Sequence, residues 1–219
     1  MQHADEEGLL IIGGTLSPEE LLLAYRNGIF PWYISNGYPF WFSLDPRFCF
    51  RPHELYVSKT MRQLLRRKPF TVTLNHDFKR VIQACADASR QGDVGTWISE
   101  EFIEGYYALH LRGWAHSVEV WSDGVLVGGL YGVITGHIFS GESMFAAVSN
   151  ASKYGFITFV KWLESRGFAL IDCQSETNHL GSLGAYTMSR ADFMEFIEVN
   201  EAMKPLFESG KPEKKTLLA

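Results

Sequence analysis

The chain has few of the patterns that mark the commonest chemistries. Its 219 residues contain no G-x-G-x-x-G or P-loop run, which removes the usual glycine cradles for dinucleotides and nucleoside triphosphates. The three cysteines, Cys49, Cys85 and Cys173, are odd in number and share no metal-ligand spacing, so a reducing compartment is expected and a disulfide framework is not. His110, His116, His137 and His179 also lack paired spacing, and no metal site is expected from them. No apolar run is long enough to span a bilayer, and the acidic start MQHADEEGLL has no leader character; a cytoplasmic protein without membrane contact is the expectation. An excess of positive charge is missing too. With a net charge of -5 and a pI near 5.8, contact with nucleic acid has to come from a local patch.

A rich supply of core residues is present. Hydrophobic residues make up 46% of the chain, aromatics 14% and charged residues 21%, the balance of a folded globular protein. The length suits one domain with a small satellite, divided here into residues 1–46 and 47–219. Ser17-Pro18-Glu19-Glu20 starts a helix with serine at N-cap, proline at N1 and glutamate at N3. The stretch GIFPWYISNGYPFWFSLDPR then crowds aromatics among prolines and glycines. Two readings stay open for it: an aromatic plug over the core, or a stacking platform in which Trp32 meets a planar ligand.

Ser58 caps a helix with Met61, Leu64 and Leu65 on one face and Lys59, Arg62, Arg66 and Arg67 elsewhere. Those four cations are either a solvated face or a footprint for phosphates. Trp97 lies where a glycine-rich loop meets a helix start, as a buried staple or as a functional residue. From Ala115 the pattern alternates through two strands, and Gly136 to Lys153 follows, GHIFSGESMFAAVSNASK. It reads as a strand from His137 to Ser140, a Gly-Glu-Ser turn and a helix capped at Ser149-Asn150. Phe156, Phe159, Val160 and Leu163 give that helix one apolar face, and FALIDCQ is a returning strand. The last residues, GKPEKKTLLA, are expected to fray.

A three-strand meander followed by a helix and a returning strand defines a mixed α/β (α+β) sheet, whose element order resembles the Gcn5-related N-acetyltransferase fold. Gly141-Glu142-Ser143-Met144-Phe145 begins like a nucleophile elbow, but Phe145 stands where glycine is required. Two acidic groups at strand ends remain, Glu142 and Asp172. Asp172 and Gln174 lie two apart on one strand and share a face, beside apolar Phe139, Met144, Phe159 and Ile171. Asp172 is either an ion-pair partner or a group that orients or deprotonates an amine.

The motifs GIFPWY, WFSLDPR, GTWI, HSVEVW, LVGGLYGV, FSGESMF, NASK, LIDCQ and HLGSLGA, in that order, resemble those of the leucyl/phenylalanyl-tRNA-protein transferases. The resemblance implies transfer of leucine or phenylalanine from aminoacyl-tRNA to proteins with N-terminal Arg or Lys, tagging them for N-end rule degradation. Trp32 and Trp97 match tryptophans that hold the tRNA's terminal adenosine. Phe139, Gly141, Met144, Phe159 and Ile171 match the aminoacyl side-chain pocket, with Glu142, Asp172 and Gln174 at its polar rim. Lys59, Arg62, Arg66 and Arg67 match the basic cluster under the acceptor stem. Leu130 replaces a common pocket methionine, Ala146 a common serine, and WFSLDPR the usual WWSPDPR. A monomer needing neither metal nor ATP is implied, because the ester is already activated. On this reading Asp172, held by Gln174, orients the amine, and two alternatives stay open for the proton: Asp172 takes it, or Asp172 only positions the amine while the substrate's own hydroxyl shuttles it. Glu142 reads the cationic acceptor. Its rivals are an acyl-CoA-dependent N-acetyltransferase, disfavoured because Ala147–Ala151 lacks a glycine loop, and a tRNA-binding module without catalysis.

Overall fold

A computed structural model of the chain describes residues 4–90, 98–202 and 212–218. After β1 (Leu9–Ile12), Ser17 accepts a hydrogen bond from the Glu20 amide at 3.3 Å and starts α1 (Pro18–Arg26). The Glu20 carboxylate reaches past the cap to the Thr15 amide at 2.6 Å, tying down the preceding loop. The aromatic stretch folds into a hairpin of β2 (Phe30–Ser35) and β3 (Tyr38–Phe42). Asn36 and Gly37 turn it with φ of 52° and 79°, the left-handed pair that a tight hairpin favours. With β1 these strands make a three-stranded antiparallel sheet, ordered β1-β3-β2.

The remaining elements are β4 (Arg47–Phe50), a 3-10 turn at Pro52–Glu54, α2 (Lys59–Arg67), β5 (Thr71–Leu74), α3 (Phe78–Arg90), α4 (Glu100–Leu111), β6 (Ala115–Ser122), β7 (Val125–Thr135), β8 (Ile138–Ala146), α5 (Ala151–Glu164), β9 (Leu170–Gln174), α6 (Asn178–Gly181), β10 (Tyr186–Met188), α7 (Arg190–Ala202) and β11 (Lys215–Leu218). Among the described residues eight strands form one mixed sheet, ordered β10-β4-β9-β8-β7-β6-β5-β11, in which only β8 and β9 pair in parallel. The expected meander is β6-β7-β8, and α5 crosses from β8 to β9.

Two expectations are corrected. The segment expected to turn at Gly141-Glu142-Ser143 is strand, with one register shift: Tyr131 pairs with Ser143 and Gly132 with Gly141, so Glu142 is the extra residue, on β8 itself. A Cβ on Gly132 would lie 2.2 Å from the Ser140 carbonyl, so the absence of a side chain there lets the strands close. Of the C-terminal residues expected to fray, Lys215–Leu218 form β11, an edge strand on β5, because Leu217 and Leu218 find apolar neighbours in the core; 210, 211 and 219 lie outside the described residues.

The sheet separates two large apolar clusters. Phe156, Phe159, Val160 and Leu163 of α5 lie in one, with Met61 of α2. The other joins α1, β2 and β3 to α3 and α4 through Tyr25, Phe30, Phe42, Phe78 and Phe102, so the small sheet and the large one share a core. Parallel pairing of β8 with β9 lasts only from Ile138–Leu170 to Ser140–Asp172. Beyond it β8 follows β7 while β9 follows β4. Both strands still carry polar side chains past the point of separation.

Candidate active site

Asp172 sits at the end of the parallel pairing, only 1% exposed. Arg47, first residue of β4, donates from Nε to Oδ1 at 2.8 Å and from Nη2 to Oδ2 at 2.7 Å. The Gln174 main-chain N–H donates to Oδ1 at 3.0 Å, and the Ser140 hydroxyl to Oδ2 at 3.3 Å. Each carboxylate oxygen thus accepts two hydrogen bonds, which fills its ordinary acceptor capacity. Arg47 is itself 1% exposed, with its guanidinium 4.7 Å from the Phe30 ring centre and 4.8 Å from that of Phe193. A buried charge pair of this kind holds only when both members are hydrogen-bonded, as here. Asp172 is therefore held by Arg47 and by the Gln174 backbone, and not by the Gln174 side chain as the sequence suggested.

That side chain turns the other way. Gln174 has φ of 61°, which breaks the alternation of β9 at its last residue. Its Nε2 donates to Glu142 Oε1 at 2.7 Å. The Tyr106 hydroxyl of α4 donates to Oε2 at 2.9 Å and in turn accepts from the Tyr25 hydroxyl of α1. Burial pushes the Glu142 carboxyl up to about 7; the hydrogen bonds from its tyrosine and glutamine neighbours oppose the shift, and the Asp172 charge adds to it. Near neutral pH both protonation states of this group are populated.

Two cavities meet at this pair. The larger, about 410 Å³, opens where β8 leaves β9. Leu130, Phe139, Gly141, Met144 and Ile171 line it, joined by Phe156, Leu180 and His179. Phe159, expected on its wall, is completely buried and packs edge-on against Phe139 at 4.9 Å, bracing the wall from behind. A Cβ at Gly141 would meet nothing nearer than Phe139 at 3.6 Å, so glycine there keeps space open without being forced by a clash. The smaller cavity, about 120 Å³, is lined by Phe30, Pro31, Trp32, Glu142, Gln174 and Ser175. Glu142, Gln174 and Ser175 belong to both. Trp32 is fixed edge-on against Phe42 at 4.9 Å. Trp97 lies outside the described residues.

Lys59, Arg62, Arg66 and Arg67 are all exposed on α2, which is anchored by buried Met61 and capped by Ser58 through a 3.3 Å bond from the Met61 amide. Sequence reasoning missed Arg47 and Tyr106. A buried aspartate calls for a cation and a buried tyrosine hydroxyl for a partner, but neither demand names which residue answers it.

An apolar cavity and a second, aromatic-walled one thus meet at one buried carboxylate and one amide on a mixed α/β sheet. Residues 49–198 match the model of the leucyl/phenylalanyl-tRNA protein transferase family, and residues 14–45 match the model of its N-terminal domain. Proteins named leucyl/phenylalanyl-tRNA–protein transferase are similar over most of their length. That of Flavobacterium johnsoniae is 50% identical, covering 90% of this chain and 93% of its own. That of Pseudomonas aeruginosa is 52% identical over 89% and 85%, and that of Azotobacter vinelandii 53% over 87% and 84%. Among solved structures, a GCN5-related N-acetyltransferase from Kribbella flavida overlaps at a TM-score of 0.40 with 14% identity, covering 67% of this chain and 55% of that one. The chain belongs to the leucyl/phenylalanyl-tRNA protein transferase family and is an aminoacyltransferase.

Proposed function

We propose that the chain moves leucine or phenylalanine from aminoacyl-tRNA to the N-terminal Arg or Lys of an acceptor protein, as a cytoplasmic monomer in N-end rule degradation. The observation that carries this reading is the junction of the apolar cavity with the Trp32 cavity at Glu142 and Gln174. The transferred side chain occupies the larger cavity and the terminal adenosine lies against Trp32. The ester between them then lies beside the polar pair. The acceptor amine attacks the ester carbonyl, a C–N bond forms, the C–O bond to the tRNA's terminal ribose breaks, and the proton given up by the amine ends on the departing ribose oxygen. Holding amine and ester together supplies much of the acceleration, since the ester is already activated.

Glu142 is assigned to the amine and to its cationic side chain, because it is the carboxylate that faces both cavities. Asp172 is a positioning residue: it fixes Arg47 and the backbone at Gln174, and its filled acceptor sites leave no place for the amine's proton. Lys59, Arg62, Arg66 and Arg67 contact the acceptor-stem phosphates. The test incubates the protein with Leu-tRNA and a peptide beginning with Arg. A peptide heavier by one leucine residue is expected, and none from a peptide beginning with Asp; equal products from both would remove the acceptor assignment.

A further inference from the structure

The proposed function leaves a gap between Trp32, assigned to the terminal adenosine, and α2, assigned to the duplex. The structure bridges it on one side of the larger cavity. From Ser175, shared by both cavities, the chain passes Thr177 and His179 on the cavity wall and reaches Ser182. There Lys153, in the first turn of α5, donates to the Ser182 hydroxyl at 3.4 Å. One residue on, the Leu183 carbonyl accepts the Tyr56 amide at 2.8 Å. Tyr56 keeps 60% of its surface exposed, and Ser58 two residues later begins the basic helix. The contacts thus run from the cavity wall past the Lys153 ammonium group to Tyr56 and on to the α2 cations.

We infer that this strip, centred on Tyr56 and Lys153, carries the unpaired ribonucleotides that precede the terminal adenosine, one base stacking on Tyr56 and a phosphate meeting Lys153. The inference rests on the aminoacyl-tRNA reading above. An exposed tyrosine whose main chain is pinned by a hydrogen bond offers a base face at little cost in ordering. Lys153 supplies charge that the acidic chain as a whole does not. His179 adds a ring nitrogen, Nε2, that is buried without a hydrogen-bond partner at the cavity wall, placed to meet a ribose hydroxyl. The acidic neighbours are Glu176, exposed in the β9–α6 turn, and Glu54, which faces Arg51 at 3.9 Å.

The experiment compares two donors, Leu-tRNA and leucyl-adenosine, which lacks those nucleotides. For Tyr56→Ala the KM for Leu-tRNA is expected to rise roughly tenfold with kcat little changed, while Tyr56→Phe stays near the parent. Lys153→Gln is expected to lower the salt slope of log affinity for tRNA by about 0.7. Transfer from leucyl-adenosine is expected to match the parent in all three variants. An unchanged KM for Leu-tRNA in Tyr56→Ala, or an equal loss with both donors, overturns the inference while the aminoacyl-tRNA reading stands. No product from the parent protein with either donor removes that reading and the inference with it.

Discussion

Arg47 and Glu142 show what a single side chain decides here. Arg47→Ala would leave the Asp172 carboxylate buried without its cation, a loss of about 3–5 kcal/mol. Urea unfolding of the variant is expected to show a midpoint lowered accordingly, and transfer is expected to fall with it. Glu142 behaves differently because burial holds its carboxyl at about 7, above the ordinary 4.5. The folded chain keeps a proton that the unfolded chain has already released. The stability this contributes is complete below the unfolded value and is lost as pH rises through the folded one. Glu142→Gln cannot titrate, so the parent's stability relative to that variant is expected to decline by a few kcal/mol between about pH 4 and about pH 8. Unfolding curves across that range check the sign, and a constant difference would show that Glu142 titrates normally.

At the scale of elements, α2 and β11 carry the clearest consequences. Helix α2 buries Met61 and leaves its cations in solvent, so its charge is separable from its packing. Arg62→Glu with Arg66→Glu is expected to weaken tRNA binding strongly and flatten its salt dependence, while the melting temperature changes little; binding titrations at several salt concentrations measure both. Strand β11 covers the free edge of β5. Its capture was hard to read because Lys215–Leu218 is too short to show a period, and its value lies in the edge it covers. The start of α2 was readable, since Ser58 and the apolar spacing after it are local signals. So was the hairpin of β6 and β7, which Asp123 and Gly124 turn with φ of 48° and 78°.

On the scale of the whole molecule, the site exists because one sheet divides. The parting of β8 and β9 opens the larger cavity, and the docking of α1, β2 and β3 against α3 and α4 brings Trp32 to its edge. A ligand spanning both cavities would touch both sides of that division. Leucyl-adenosine at about a hundred times its Kd is therefore expected to stabilise the fold by about 2.7 kcal/mol, read as a rise in melting temperature. Adenosine alone, without the side chain for the apolar cavity, is expected to give less.

The sequence by itself determined where capped helices such as α1 and α2 start, where the β6–β7 hairpin turns, which face of α5 is apolar, and which residue types crowd the site. Caps, turn residues and periodicity act within a few positions, so one segment contains the whole signal. Asp172 and Glu142 stood out because acidic residues at the ends of apolar runs need an explanation wherever they occur. Only the tertiary structure decided their partners. Arg47 meets Asp172 across 125 positions, Tyr106 meets Glu142 across 36, and Gln174 turns toward Glu142 because its backbone leaves the extended region. The segment around Gly141 is strand for the same kind of reason: β7 holds it on one side, and β9 departs on the other. Such pairings depend on where each strand comes to rest in the packed sheet, which no local pattern encodes.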